Sequence, residues 1–240
     1  PLQRWLDAQR VRYEHIKDYA WAVFASDGSQ VARYPQYQEN GEPMVSLWQQ
    51  YAYRDYFHGR LSDFETGPPI EHSHISVAME STNGGLIISF STPIRAQADQ
   101  PPMGVITMSI ELGQFADLDI SLPPGQKVIL VDSRRYFMKL AGSDERGPSG
   151  EGLLLHHPDL VRAASLNDIP HLEPSMVKYM REKSLQQLRT DNLLPASYRD
   201  PLAVAAAGPP LAAFAPVILT ARPDDVEVHR TKWFVIVQQQ

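Results

Sequence analysis

The chain contains no cysteine, which removes disulfides, thiolate metal sites and thiol catalysis at once. It carries no Lys/Arg block and its formal net charge is −6, so nucleic acid and anionic membrane surfaces are poor partners. Gly-x-Ser-x-Gly, His-Glu-x-x-His and phosphate-loop patterns are missing, and so are the glycine-rich loop, HRD and DFG of a protein kinase. An enzyme is therefore not expected, and neither is a cofactor or a metal. Residues 202–221 lack any charge over nearly the length of a membrane span, yet Gly208, Pro209, Pro210 and Pro216 interrupt them. Two short buried strands around a turn are predicted there. Pro1 stands where an initiator Met would be, which predicts an excised or processed product, and no signal peptide is visible.

What remains is ordinary globular material: 240 residues, 43% hydrophobic and 21% charged, enough for one large domain or two modest ones. Leu2, Trp5, Leu6, Tyr13, Ile16 and Ala20 recur at helical spacing and predict a helix over residues 1–20. Ala22-Val-Phe-Ala, Asp27-Gly28 and Gln30-Val-Ala-Arg-Tyr read as a hairpin that Pro35 ends. Short helical turns are predicted around residues 44–54. Strands follow at 74–80, 86–92 and 104–112, with Asn83-Gly84-Gly85 as a tight connection and an exposed loop at 95–103. A second module begins near Gln126 with the buried strand KVILVD, then a loop at 142–152, a helix over 174–190, and a closing strand KWFVIVQ. His156-His157 before Pro158 reads as a turn. The fold class is α+β.

Residues 51–60, YAYRDYFHGR, place one arginine among aromatics, the composition of a pocket wall with few polar anchors. Either Arg54 meets an anionic ligand beside Tyr53, Tyr56 and Phe57, or it pairs with Asp55 or Asp63 and the rings are core. Ser89 and Ser91 share one strand face, as do Thr107 and Ser109, with Ser76 on a neighbouring strand. Small hydroxyls facing inward would leave space and hydrogen bonds; the alternative is a polar, solvent-facing side. His72 and His74, two apart and near Glu71 and Glu80, could project toward a metal, but no third ligand can be assigned and a structural role is the alternative.

The order of these pieces resembles the double-Cache family, the extracytoplasmic PAS-like sensor domains of bacterial receptors. The matching stretches are VFASDGSQVARYP, RDYF, ISVAMESTNG, STPI followed by GVITMSIEL, KVILVDSR and the terminal WFVIVQ. The wording YRDYFHG with HISVAMES and LLLHHPDL is most similar to Cache ectodomains of membrane serine/threonine kinases in planctomycete-type bacteria. The resemblance implies a long N-terminal helix (residues 1–20), a membrane-distal ligand-binding module (21–120) and a membrane-proximal module (121–240). It implies an extracytoplasmic small-molecule sensor with flanking transmembrane helices and a homodimer, its ligand enclosed under a lid at residues 44–60. The expected ligand-binding residues are Trp48, Tyr53, Arg54, Tyr56, Phe57, His74, Ser76, Met79, Ser89, Ser91, Thr107 and Ser109. An amine-reading subset of the family pairs an Arg-x-Trp-Tyr segment with an acidic residue, which falls on Ser109 here, and with a tyrosine and an aspartate of the preceding strand, which fall on about Met79 and Ser81. With the carboxylates replaced, an ammonium would stay unpaired, so a small organic acid clamped by Arg54 is the expected ligand. The alternative is a ligand-free extracytoplasmic module for dimerisation or docking.

Overall fold

The computed structural model describes residues 1–13, 20–38, 41–81, 85–112, 122–139, 146–160, 168–186, 193–203, 210–219 and 229–239. The chain divides into two units, one mainly Pro1–Gln114 and the other mainly Phe115–Tyr136 and Asn167–Gln240.

The first unit is a six-stranded antiparallel sheet. Its strands are β1 (Ala20–Ala25), β2 (Gln30–Tyr34), β3 (His74–Ile75), β4 (Met79–Glu80), β5 (Leu86–Ile94) and β6 (Gly104–Glu111). They run in the order β2-β1-β6-β5-β3, with β4 also paired to β5. The β1–β2 hairpin turns at Asp27-Gly28, where Asp27 accepts from the Ser29 amide at 2.8 Å. Gly28 sits at φ +87°, and a Cβ there would lie 2.5 Å from the Ala52 amide nitrogen, so only glycine closes the turn. The predicted strand at 74–80 is split in two. Val77 donates its N–H to the Asp55 carboxylate at 2.9 Å instead of to β5, and Ser76 Oγ turns back onto the Val77 carbonyl at 2.9 Å. Residues 82–84 of the predicted tight connection lie outside the described residues, but Ser81 N–H donates to the Gly85 carbonyl across it at 2.9 Å.

Helix α1 (Leu2–Arg12) packs on one sheet face through Leu6, which meets Val23 and Ala32. Gln3 extends the edge of β2, donating to the Arg33 carbonyl at 2.8 Å and accepting from the Arg33 amide at 3.2 Å. Of the described residues in the predicted helical stripe, Leu6 alone is fully buried; Leu2 and Trp5 are exposed, and Ile16 lies outside the described set. Ala20 opens β1 rather than ending the helix, because it pairs with Ser109. The opposite sheet face carries residues 44–60, including the one-turn helix α2 (Asp55–His58). That side is where the sheet leaves space.

The second unit has the antiparallel order β10-β7-β12-β11, built from β7 (Gln126–Asp132), β10 (Leu153–His156), β11 (Leu211–Leu219) and β12 (His229–Gln239). Strands β8 (Tyr136–Lys139) and β9 (Arg146–Gly150) form a separate pair. Helix α3 (Pro174–Gln186) sets Tyr179 edge-on against Phe214, which in turn meets Phe234. Of the two strands predicted around 202–221, the second is β11. The first falls mainly on residues 204–209, which lie outside the described set; before them, Leu202 donates its amide to Asp200. The turn predicted at His156-His157 begins one residue later: His156 ends β10, and the His157 carbonyl accepts from the Leu160 amide at 3.0 Å. Buried His157 donates toward Asp200 at 3.1 Å while its Nδ1 accepts from the Asp159 amide. Among the described residues no helix is long and apolar enough to cross a membrane.

Candidate functional site

Three strand registers decide which side chains share the open face of the first sheet. Ala22 lies opposite both Arg33 and Thr107, Ala20 opposite Ser109, and Ser89 and Ser91 opposite Ser109 and Thr107. Directly opposed residues in an antiparallel pair point the same way. A β-bulge between Val23 and Phe24 inserts one residue into β2, so Phe24 opposes Gln30. Gln30 and Arg33, three apart, therefore join the same face despite the two-residue period. Against this face stand Ser46, Tyr51, Arg54 and Tyr56, and between them is a cavity of about 50 Å³. A cavity of that size has room for about four water molecules or one small organic molecule. The two alanines leave the room; larger residues at 20 and 22 would fill it.

The segment above the cavity is pinned to the hairpin. Gly28 and Gln30 carbonyls accept from the Tyr51 and Trp48 amides at 2.8 and 2.9 Å, and the Gln30 amide donates to Gln49 at 3.0 Å. Phe24 holds the rings: its centroid is 5.5 Å from Tyr51, 5.3 Å from Tyr56 and 6.4 Å from Phe57.

Arg54 immediately precedes α2 and is buried. It donates to Asp63 at 2.7 Å and to the Glu80 carbonyl at 3.1 Å, and its guanidinium lies 5.3 Å over the Tyr53 ring. Burial disfavours its charge, but Asp63 and the Tyr56 and Tyr53 hydroxyls outweigh that and push its pKa up. Burial pushes the Asp63 carboxyl above its usual value against the pull of Arg54. The arginine decides the state of the pair, because a guanidinium keeps its proton in a protein. Asp55 is the structural hub beneath. It accepts from Leu61 N–H, Val77 N–H and His74 Nε2, all within 2.8–2.9 Å. Burial raises its carboxyl, yet the hydrogen bond and charge of His74 and the two backbone donors hold it below the usual range. Burial also keeps the Tyr56 phenol protonated, a neutral donor at the cavity wall. Arg33 is buried too, donating to Ser46 Oγ.

No protein-family model matches the chain, and no curated protein matches it. Solved structures do. The sensor domain of the V. cholerae histidine kinase DctB aligns with TM-score 0.53 at 13% identity, covering 99% of this chain and 76% of that one. This chain shares the fold of that sensor domain. An extracellular ligand binding receptor from Desulfohalobium retbaense gives TM-score 0.55 at 9% identity, covering 95% of this chain, which spans 31% of that receptor. The ligand binding domain of the Pseudomonas aeruginosa amino acid chemoreceptor PctB with L-Gln gives TM-score 0.49 at 14% identity, covering 93% of this chain and 68% of that one. These neighbours are sensor and ligand-binding domains.

Of the twelve residues singled out from sequence, Arg54, Tyr56, Met79, Thr107 and Ser109 line the cavity. Ser89 sits one layer behind, its hydroxyl 2.8 Å from that of Ser109. Ser76 accepts from the Ser89 amide at 2.8 Å. Ser91 is buried on the same face, and Phe57 is fully buried beside Phe24. The inward reading of the hydroxyls holds; Arg54 pairs with Asp63, the second of its two readings, and also lines the cavity. Trp48 is corrected: at 72% exposure and φ +66° it points to solvent. His74 is corrected as well, since Asp55 takes its ring, and Tyr53 stacks on Tyr51 outside the cavity. Sequence reasoning missed Ala20, Ala22, Phe24, Gln30, Arg33, Ser46, Tyr51, Glu80, Ser81 and Ile87. Alternation along β1 was the available signal for Ala22 and Phe24; the bulge left none for Gln30 and Arg33.

Proposed function

We propose that this chain is the extracytoplasmic sensing domain of a bacterial transmembrane receptor and that a small organic acid binds in the first unit's cavity. The carrying observation is the cavity itself: two buried guanidinium side chains, a protonated phenol and two strand hydroxyls surround a space of about 50 Å³. Buried arginines beside a half-open cavity favour a carboxylate, which they recognise through paired N–H donors. In this reading residues 21–120 form the membrane-distal binding module, residues 121–240 the membrane-proximal one, and α1, within residues 1–20, the helix leading from the membrane. The stretches YRDYFHG and LLLHHPDL support a serine/threonine kinase as the output; DctB, whose sensor domain has the same fold, is a histidine kinase. Leu2, Trp5 and Val11 stand exposed on α1 and would supply a homodimer contact. A ligand signals only by binding one receptor state more tightly than another.

A thermal-shift screen of small organic acids, amines and nucleobases tests the reading. A ligand selective for the folded state at 100 times its Kd adds about 2.7 kcal/mol, and the expected hits are acids whose effect Arg54→Ala and Tyr56→Ala remove. A screen without hits, or hits indifferent to both substitutions, overturns it.

A further inference from the structure

Gln30 brings to the cavity a polar end that is left waiting. Its residue exposure is 5%, and its Oε1 has no hydrogen-bond partner among the described residues. Its backbone is held on both sides, by the Gln49 carbonyl at 3.0 Å and the Trp48 amide at 2.9 Å, so the side chain is presented from a fixed base. The β-bulge turns it into the cavity, on the same face as Arg33. A buried acceptor without a donor is costly. It persists where a ligand supplies the donor, so the ligand carries an N–H or O–H as well as its negative charge.

Which donor follows from the charges nearby. An ammonium needs a carboxylate against it. The acidic residues at the cavity are engaged: Asp63 with Arg54 and the Asp55 amide, Asp55 with His74, Val77 and Leu61, and Glu80, which lines the cavity, is not free either. A neutral hydroxyl needs only the Gln30 oxygen. Gln30 and Arg33 oppose Phe24 and Ala22, two residues apart on β1, or about 7 Å along the strand. A two-carbon hydroxy acid with a hydrogen bond at each end spans a similar length. The volume of about 50 Å³ suits a molecule of that size.

We infer that the cavity takes short 2-hydroxy carboxylates, with Gln30 Oε1 accepting from the hydroxyl and the carboxylate set toward the Arg33 guanidinium. The inference rests on the sensing reading above and sharpens its ligand class.

Acetate, glycolate and glycine differ only in bearing hydrogen, hydroxyl or ammonium on the second carbon. Calorimetric titration of each into the whole chain should give glycolate about ten-fold tighter than acetate, the size of one satisfied buried acceptor, with glycine weakest. Gln30→Met should bring the glycolate-to-acetate ratio to within about two-fold of unity. Equal affinity of the unsubstituted chain for acetate and glycolate would overturn the hydroxyl assignment and leave acid sensing standing. Glycine binding tightest would overturn it too. Binding of none of the three, with other compounds stabilising the protein in the broad screen, would end the hydroxy-acid assignment alone; a silent broad screen would end both. The comparison of ligands needs no substitution, so a poorly folding Gln30→Met does not spare the proposal.

Discussion

Asp63→Asn removes the charge that Arg54 depends on and keeps the shape. The two side chains are 5% and 0% exposed and 2.7 Å apart, so no water replaces the lost carboxylate. Unit charges about 4 Å apart at an effective dielectric constant of about 20 interact by about 4 kcal/mol. Removing one member of a buried pair costs about 3–5 kcal/mol, the same range by a separate route. The carboxamide oxygen of the variant can still accept from the Asp55 amide, as the Asp63 carboxylate does at 3.1 Å, so the lower half of the range is expected. Urea unfolding followed by tryptophan fluorescence would read it. Arg54→Met with Asp63→Leu removes both charges; its expected loss is smaller, about 1–3 kcal/mol for the Asp55 amide left unbonded. The unpaired guanidinium in Asp63→Asn also makes small carboxylates better stabilisers of the variant than of the parent. A loss below about 1 kcal/mol would be that of a surface pair and would refute the buried-charge reasoning.

Phe24→Ala removes the ring that Tyr51, Tyr56 and Phe57 share; a loss of about 3–5 kcal/mol is expected in the same assay. Gly104→Ala would set a Cβ 2.2 Å from the Phe24 carbonyl oxygen, so β1 and β6 must part locally; about 1–3 kcal/mol is expected, and hits from the ligand screen should bind more weakly. Asp55 has a depressed folded pKa, so its contribution is full above the unfolded value near 3.9 and is lost as pH falls through the folded one. Asp55→Asn should lower stability at pH 7 and flatten the decline below about pH 4 in unfolding curves taken from pH 2.5 to 7; an unchanged acid limb would count against the hub.

What sequence could show here follows from what is local. The β1–β2 hairpin, β5, β6, β7, α3 and the terminal strand were legible, because Asp-Gly turns and uninterrupted apolar runs bias the backbone where they stand. The helix ending at Arg12 and the broken strand at 74–80 were not. Those outcomes depend on partners distant in the chain: the Asp55 carboxylate takes the Val77 amide 22 positions on, and Ala20 pairs across to Ser109. The cavity divides along the same line. Ser89, Ser91, Thr107 and Ser109 were readable as one face because a regular strand repeats every two residues. Gln30 and Arg33 are separated by an odd interval, which in a regular strand puts two side chains on opposite sides. One extra residue opposite Phe24 cancels that rule. A bulge is a property of the pairing rather than of either strand, so the two polar groups that give the cavity its chemistry become visible only once β1 and β2 are laid side by side.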